Sequence, residues 1–331
     1  MMELITQDRV GRHGGPSTRF IRRRQSGDNV RDGTLGGMKN LLRRLIHDSR
    51  ALNQLIFVSG AVRGHFYSPI PSLKELRADR QRIFGDLPRE IPGVDLRERQ
   101  QLELLRIVQA FYAQQPFSDR PSDGMLYSFQ NDQFGHCDAI MLYGLMRHSQ
   151  PRRVIEVGSG HSSGAIVDTS RLFLNNSVEC TFIDPNPQRL KSVLAPSASA
   201  TILEKRVQDV PLDLFARLDA SDILFIDSAH VAKTGSDVNH IFFRILPILK
   251  PGVRVHLHDV VYPFEYPEEW VFDGKAWNEA YMLRAFLQYN SSFELELFPS
   301  YLIQFHREYF QREMPLCLQN TGGSIWIRRT A

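Results

Sequence analysis

At 331 residues the chain can form one large domain or two ordinary ones, and its 42% hydrophobic and 23% charged residues are those of a globular protein, neither fibrous nor disordered overall. No window approaches the roughly 18 to 20 uninterrupted apolar residues of a membrane span, and the N-terminal MMELITQDRVGRHGG lacks the apolar core of a secretory signal, so a cytoplasmic protein with no membrane partner is expected. The net charge of +3 is unevenly spread: residues 1–44 hold ten Lys or Arg against four acids, +6 locally, which leaves −3 for the remainder.

That first stretch reads as a flexible basic arm over residues 1–35. Phe20 is the single Phe, Trp or Tyr among its charges, too few rings to stack on successive bases, so a solvated tail is favoured over a nucleic-acid contact. Apolar spacing over 37–57 (Leu41, Leu42, Leu45, Leu52, Leu55) predicts an amphipathic helix. After Pro69 and Pro71 come a helix near 72–84 begun by Ser72 and another over 95–114 with Asp95 as N-cap. Residues 36–145 therefore form a helical N-terminal region, suited to capping an active site or to pairing copies of the chain.

From residue 146 to 331 the pattern changes. Short β-branched runs, 154-VIEVG-158, 180-CTFID-184, 201-TILEK-205, 222-DILFID-227 and 253-VRVHLHD-259, alternate with helical stretches at 163–174, 186–195, 211–218 and 236–249. Such alternation implies βαβ units and a parallel sheet. A helix over 276–290 precedes 293-FELELF-298 and 324-SIWIRR-329, which have no full-length crossover helix between them and are expected to pair antiparallel at the sheet edge. The predicted fold is α/β, a doubly wound seven-stranded, mostly parallel sheet with an antiparallel last strand. Cys137, Cys180 and Cys317 form no C-x-x-C pair and read as reduced thiols.

In such a sheet, ligands bind outside the carboxyl ends of the strands. Gly158, Gly160 and Gly164 follow the first strand, where a glycine turn brings backbone close to a ligand and opens a helix. Their spacing, G-x-G-x-x-x-G, is one residue longer than a dinucleotide fingerprint, and Glu156 two positions earlier would repel a pyrophosphate while favouring an ammonium or sulfonium ligand. Asp184 ends the second strand, where a carboxylate can accept both hydroxyls of a ribose, and Gln208 and Asp209 after the third could address an adenine amino group.

Taken together, Glu-x-Gly-x-Gly-x-Ser-x-Gly, FID, FIDSAH and the closing hairpin resemble a class I S-adenosylmethionine-dependent methyltransferase over residues 150–330. More narrowly, 226-IDSAHVAKTGSDV-238, 247-PILKPGVRVHLHDVVYPFEYPEEW-270, 91-IPGVDLRERQQLELL-105 and 131-NDQFGHCDAIMLY-143 resemble a bacterial small-molecule branch associated with glycan or natural-product tailoring. The resemblance implies that Glu156, Gly158, Ser159, Gly160 and Ser162 line the methionine end of the cofactor and that Asp184 holds the ribose, with Asp209 and Asp227 also at the cofactor.

Methyl transfer requires an acceptor held in line and relieved of a proton. The candidates cluster after strands four and five: Asp227, His230, Asp237, His256, His258 and Asp259. His258 is expected to be the general base, with His230 and Asp259 beside it, and His256 is read as a core histidine. Catechol-type O-methyltransferases place carboxylates after the same two strands to bind magnesium. Asp227 and Asp259 match those positions, Val260 replaces the family's Asn, and His230 or Asp237 remains available as a ligand, so Mg2+ or another divalent cation competes with metal-free catalysis by His258. The loop 262-YPFEYPEEW-270 suits an acceptor-pocket wall, with Tyr262, Tyr266 and Trp270 offering ring faces. The leading expectation is O-methylation of a small molecule. Methylation of RNA or protein and a catalytically silent cofactor-binding protein stay open as rivals, and a nicotinamide oxidoreductase is disfavoured by Glu156 and the glycine spacing.

Overall fold

The computed structural model describes residues 64–194 and 200–331, so the expected basic arm and the helix over 37–57 lie outside the described residues. Seven strands form one sheet: β1 (Arg153–Val157), β2 (Glu179–Ile183), β3 (Ala200–Leu203), β4 (Ile223–Ile226), β5 (Arg254–His258), β6 (Phe293–Leu297) and β7 (Ser324–Arg329). Their order is β3-β2-β1-β4-β5-β7-β6. The β1–β2, β1–β4, β2–β3 and β4–β5 pairs are parallel, and β7 runs antiparallel to both β5 and β6. Strand order reverses between β1 and β4, which puts the ligand crevice beyond Val157 and Ile226.

The interior strands are buried along nearly their whole length because helices cover both sheet faces. The helix His136–Ser149 buries ten consecutive residues, Cys137 to Met146, and the helix His161–Phe173 buries nine, Ser162 to Ser170. The two pack together, and the helix Glu98–Tyr112 covers the first of them. The expected division at 145/146 therefore falls inside a helix of the sheet's own core. Cys137, Cys180 and Cys317 are buried free thiols. Among the described residues, no helix is long and apolar enough to cross a membrane.

Three helices differ from expectation for local reasons. The 72–84 stretch divides at Asp79 into Leu73–Ala78, whose N-cap Ser72 accepts from the Glu75 amide, and Arg80–Phe84. Asp95 accepts the Arg97 N–H at 3.0 Å in a turn ahead of the third helix, and Arg97, left-handed at φ 49°, is the residue that precedes its start at Glu98. The 236–249 stretch begins as α-helix (Asp237–His240), widens to a π-turn (Ile241–Ile245) and tightens to a 3-10 turn (Leu246–Ile248). Pro247 has no N–H for the α ladder and its ring crowds the preceding turn, so the regular pattern fails just before it.

Candidate active site

The turns after β1, β2, β4 and β5 converge on one cavity of about 320 Å3. Its first wall is the glycine turn. Gly158 is left-handed at φ 78°, and a Cβ there would lie 1.7 Å from the Asp227 carbonyl oxygen, so only glycine lets the β1 and β4 ends approach this closely. The Gly158 amide donates to the Ile183 carbonyl at 2.9 Å, and the Asp227 amide to the Val157 carbonyl at 2.8 Å. Ser159, Gly160 and Ser162 line the cavity at the start of the following helix.

Asp184 stands at the rim of this wall. One carboxylate oxygen accepts the Ser159 N–H at 3.2 Å and the other the Asn186 N–H at 2.6 Å, which fixes its orientation toward the cavity. Two sequence expectations fail here. Glu156 is fully buried in β1, beneath the turn, and does not line the cavity. Its oxygens accept from Ser162 Oγ at 2.6 Å and from Ser163 Oγ, so it anchors the helix start instead. Burial pushes the Glu156 carboxyl up to about 7, against the opposing effect of the serine hydroxyls. Asp209 sits exposed in a 3-10 turn, with both oxygens taken by Arg206 at 2.8 and 2.9 Å, and it lies outside the cavity lining. Gln208 likewise donates to the Gly235 carbonyl at 3.0 Å.

The second wall is charged. Asp227, His230, His258 and Asp259 all face the cavity. His230 Nε2 is 3.4 Å from an oxygen of Asp227 and 3.4 Å from one of Asp259, while its Nδ1 is 2.8 Å from Glu279. Both His230 and Asp259 adopt left-handed backbone, at φ 57° and 56°, a costly conformation for residues with side chains that recurs at functional sites. Burial lowers the affinity of His230 for its proton, but Asp227 and Glu279 outweigh it and raise the imidazole to about 10. Burial raises the Asp259 carboxyl above its usual range despite His258 and His230.

His258 ends β5 with Nε2 3.3 Å from the Gln133 carbonyl oxygen and Nδ1 3.4 Å from His256 Nε2. Burial opposes its protonation, yet Asp227, Asp138 and Asp259 together raise its pKa above the ordinary imidazole value. His256 is fully buried and stacked on Phe225 with ring centres 3.8 Å apart, and burial followed by the neighbouring His258 holds it well below the ordinary value. Asp237 stands apart from the cluster, accepting the Ala229 N–H at 2.8 Å.

Asp227, His230 and Asp259 each offer one ligand atom, and these atoms lie within 4.8 Å of one another. Two carboxylate oxygens and an imidazole nitrogen form a donor set that fits a divalent cation. His230 thus joins the two acids expected at this position, whereas Asp237 does not.

Residues without an assigned role in the sequence also enter the cavity: Gln133 and Phe134 from the loop before the helix at 136, Arg189 after β2, and Trp277. The NDQFGHC string carried the first two, but nothing in chain order ties Arg189 or Trp277 to the site. Trp277 packs against the His230 ring at 4.5 Å. Of the expected aromatic wall, Tyr262 and Tyr266 line a separate cavity of about 610 Å3 with Phe84 and Arg307. Trp270 is not part of that lining; it packs edge-on against Trp277 at 5.5 Å with the Lys275 ammonium over its face.

Residues 155–260 match the family described as a methyltransferase domain. An uncharacterized protein of Archaeoglobus fulgidus is 32% identical over 164 residues, 48% of this chain and 74% of that one. Among solved structures, the O-methyltransferase TomG of Streptomyces achromogenes, involved in tomaymycin synthesis, aligns at 17% identity and TM-score 0.40 over 69% of this chain and 89% of its own. The methyltransferase PaMTH1 of Podospora anserina aligns at 15% identity and TM-score 0.41 over 80% and 99%. Residues 155–260 are thus a methyltransferase domain, and the sheet order and the glycine turn after β1 stand where the class I S-adenosylmethionine-dependent methyltransferase fold has them.

Proposed function

We propose that the protein transfers the methyl group of S-adenosylmethionine to a hydroxyl oxygen of a small molecule, a natural product or sugar-bearing metabolite. The observation that carries this reading is a single cavity with the glycine turn and Asp184 on one wall and His258, Asp259, Asp227 and His230 on the other. In the proposed reaction Asp184 accepts the ribose hydroxyls and the acceptor oxygen attacks the methyl carbon in line. The carbon–sulfur bond breaks to leave S-adenosylhomocysteine, and the acceptor's proton passes to His258.

A divalent cation would be held by Asp227, His230 and Asp259, where it would supply a Lewis acid for acceptor hydroxyls.

Calorimetric titration with S-adenosylmethionine and S-adenosylhomocysteine, with NAD as control, tests the cofactor; binding of NAD alone would overturn the assignment. Assaying transfer of labelled methyl to hydroxylated small molecules, before and after chelation, then tests the acceptor class and the metal. Turnover unchanged by chelation removes the metal, and label transferred only to RNA or protein removes the small-molecule reading.

A further inference from the structure

His230 is gripped from every side by three consecutive residues far along the chain. Its carbonyl accepts the N–H of Asn278 at 3.0 Å and of Glu279 at 3.2 Å. The Asn278 side chain accepts from the Ala232 N–H at 2.6 Å and donates to the Ala232 carbonyl at 3.3 Å, which clamps the turn that carries His230. Trp277 packs on the imidazole face. Glu279, only 1% exposed at the start of the helix Glu279–Leu287, places one oxygen 2.8 Å from His230 Nδ1.

The other oxygen of Glu279 is buried and has no hydrogen-bond partner among the described residues. A carboxylate kept for packing alone is expected to have both oxygens satisfied, because each orphaned buried acceptor costs on the order of 1–3 kcal/mol. His230 is thus the group this buried acid serves. By accepting Nδ1–H it fixes the tautomer and turns Nε2 toward Asp227 and Asp259. The two 3.4 Å separations there are long for hydrogen bonds.

We infer that Glu279 is a positioning residue that makes His230 a nitrogen ligand, and that the Asp227–His230–Asp259 site in consequence favours a transition-series cation such as Fe2+ or Co2+ over Mg2+. The inference rests on the metal reading proposed above. Imidazole suits transition ions, whereas Mg2+ prefers oxygen and retains its waters. The preference beyond the general affinity order of these ions is therefore assigned to one side chain and its support.

The test is calorimetric titration of Co2+ and Mg2+ into the wild-type chain, Glu279→Leu, Glu279→Gln and His230→Asn, with pulsed EPR of the Mn2+-loaded proteins to read imidazole nitrogen coupling. Thermal melts check that each variant folds. The expected result is a Co2+ affinity about 10- to 100-fold weaker in Glu279→Leu, little change for Mg2+, and recovery in Glu279→Gln, whose amide oxygen still accepts Nδ1–H. The nitrogen coupling is present in wild type and absent in His230→Asn. Binding of cations without nitrogen coupling, or equal losses of Co2+ and Mg2+ in Glu279→Leu, would overturn the inference and leave the metal reading standing. Binding of no cation by the wild-type chain would remove both.

Discussion

The two walls of the cavity are built on opposite principles. Beyond β1 the wall is mostly backbone: the amides of Gly158, Ser159 and Gly160 are tied to the Ile183 carbonyl, the Asp184 carboxylate and the Ser163 hydroxyl, and Asp184 takes its orientation from two N–H groups. Beyond β4 and β5 the wall is side chain and charge, with His230 set between Asp227, Asp259 and Glu279 and two of its residues in left-handed backbone. A wall of fixed dipoles recognises a ligand common to a whole class of enzymes, while a wall of titratable groups performs chemistry particular to one. The difference predicts that damage to the two walls separates cleanly into binding and turnover.

The largest expected effect is on the charged wall. His258→Ala should lower turnover by 10²- to 10⁴-fold, the range for losing a general base, with the dissociation constant for S-adenosylhomocysteine changed by less than about threefold. Single-turnover kinetics beside calorimetry measures both, and a parallel loss of cofactor binding would show that the walls are not separable. Next in size, Asp184→Ala should weaken S-adenosylhomocysteine by about 100-fold, because two hydrogen bonds to a charged acceptor are removed. Turnover at saturating cofactor should stay within about tenfold; a collapse of turnover under those conditions would place Asp184 in the chemistry.

The backbone wall was the more legible of the two for a physical reason. A close approach of two chains demands glycine at fixed spacing, and a ribose site demands an acid at a strand end, so Gly158 and Asp184 announce themselves locally. The alternation of strand and helix likewise exposed the sheet and its edge hairpin through periodicity alone. The charged wall is a product of tertiary contact. Asp227, His230, His258 and Asp259 could be read as candidates, yet Glu279 and Trp277 come from a separate loop whose return to His230 no local pattern encodes. Glu156 and Asp209 show the complementary limit. Acid at the right strand end is necessary for a ligand contact, but whether the side chain faces the cavity, the serines beneath it or a neighbouring arginine depends on pleat and turn geometry.

Glu156 also offers the subtlest test of the contrast, because it supports the backbone wall from below with a titratable group. Its carboxyl, raised by burial to about 7, binds a proton more tightly folded than unfolded. The stabilisation tied to that proton is full below the unfolded value, near 4.5, and is lost as pH rises through about 7. Glu156→Gln keeps an acceptor for one serine and cannot ionise. The variant should therefore gain stability over wild type between pH 5 and pH 8 by on the order of 2 kcal/mol, read from denaturant unfolding at the two pH values. The cofactor affinity should move little, since the side chain lies under the turn and not in the cavity. A constant difference in stability across that pH range would mean that Glu156 stays ionised throughout, held by the serine hydroxyls strongly enough to offset its burial, and the first wall would then rest on a buried charge after all.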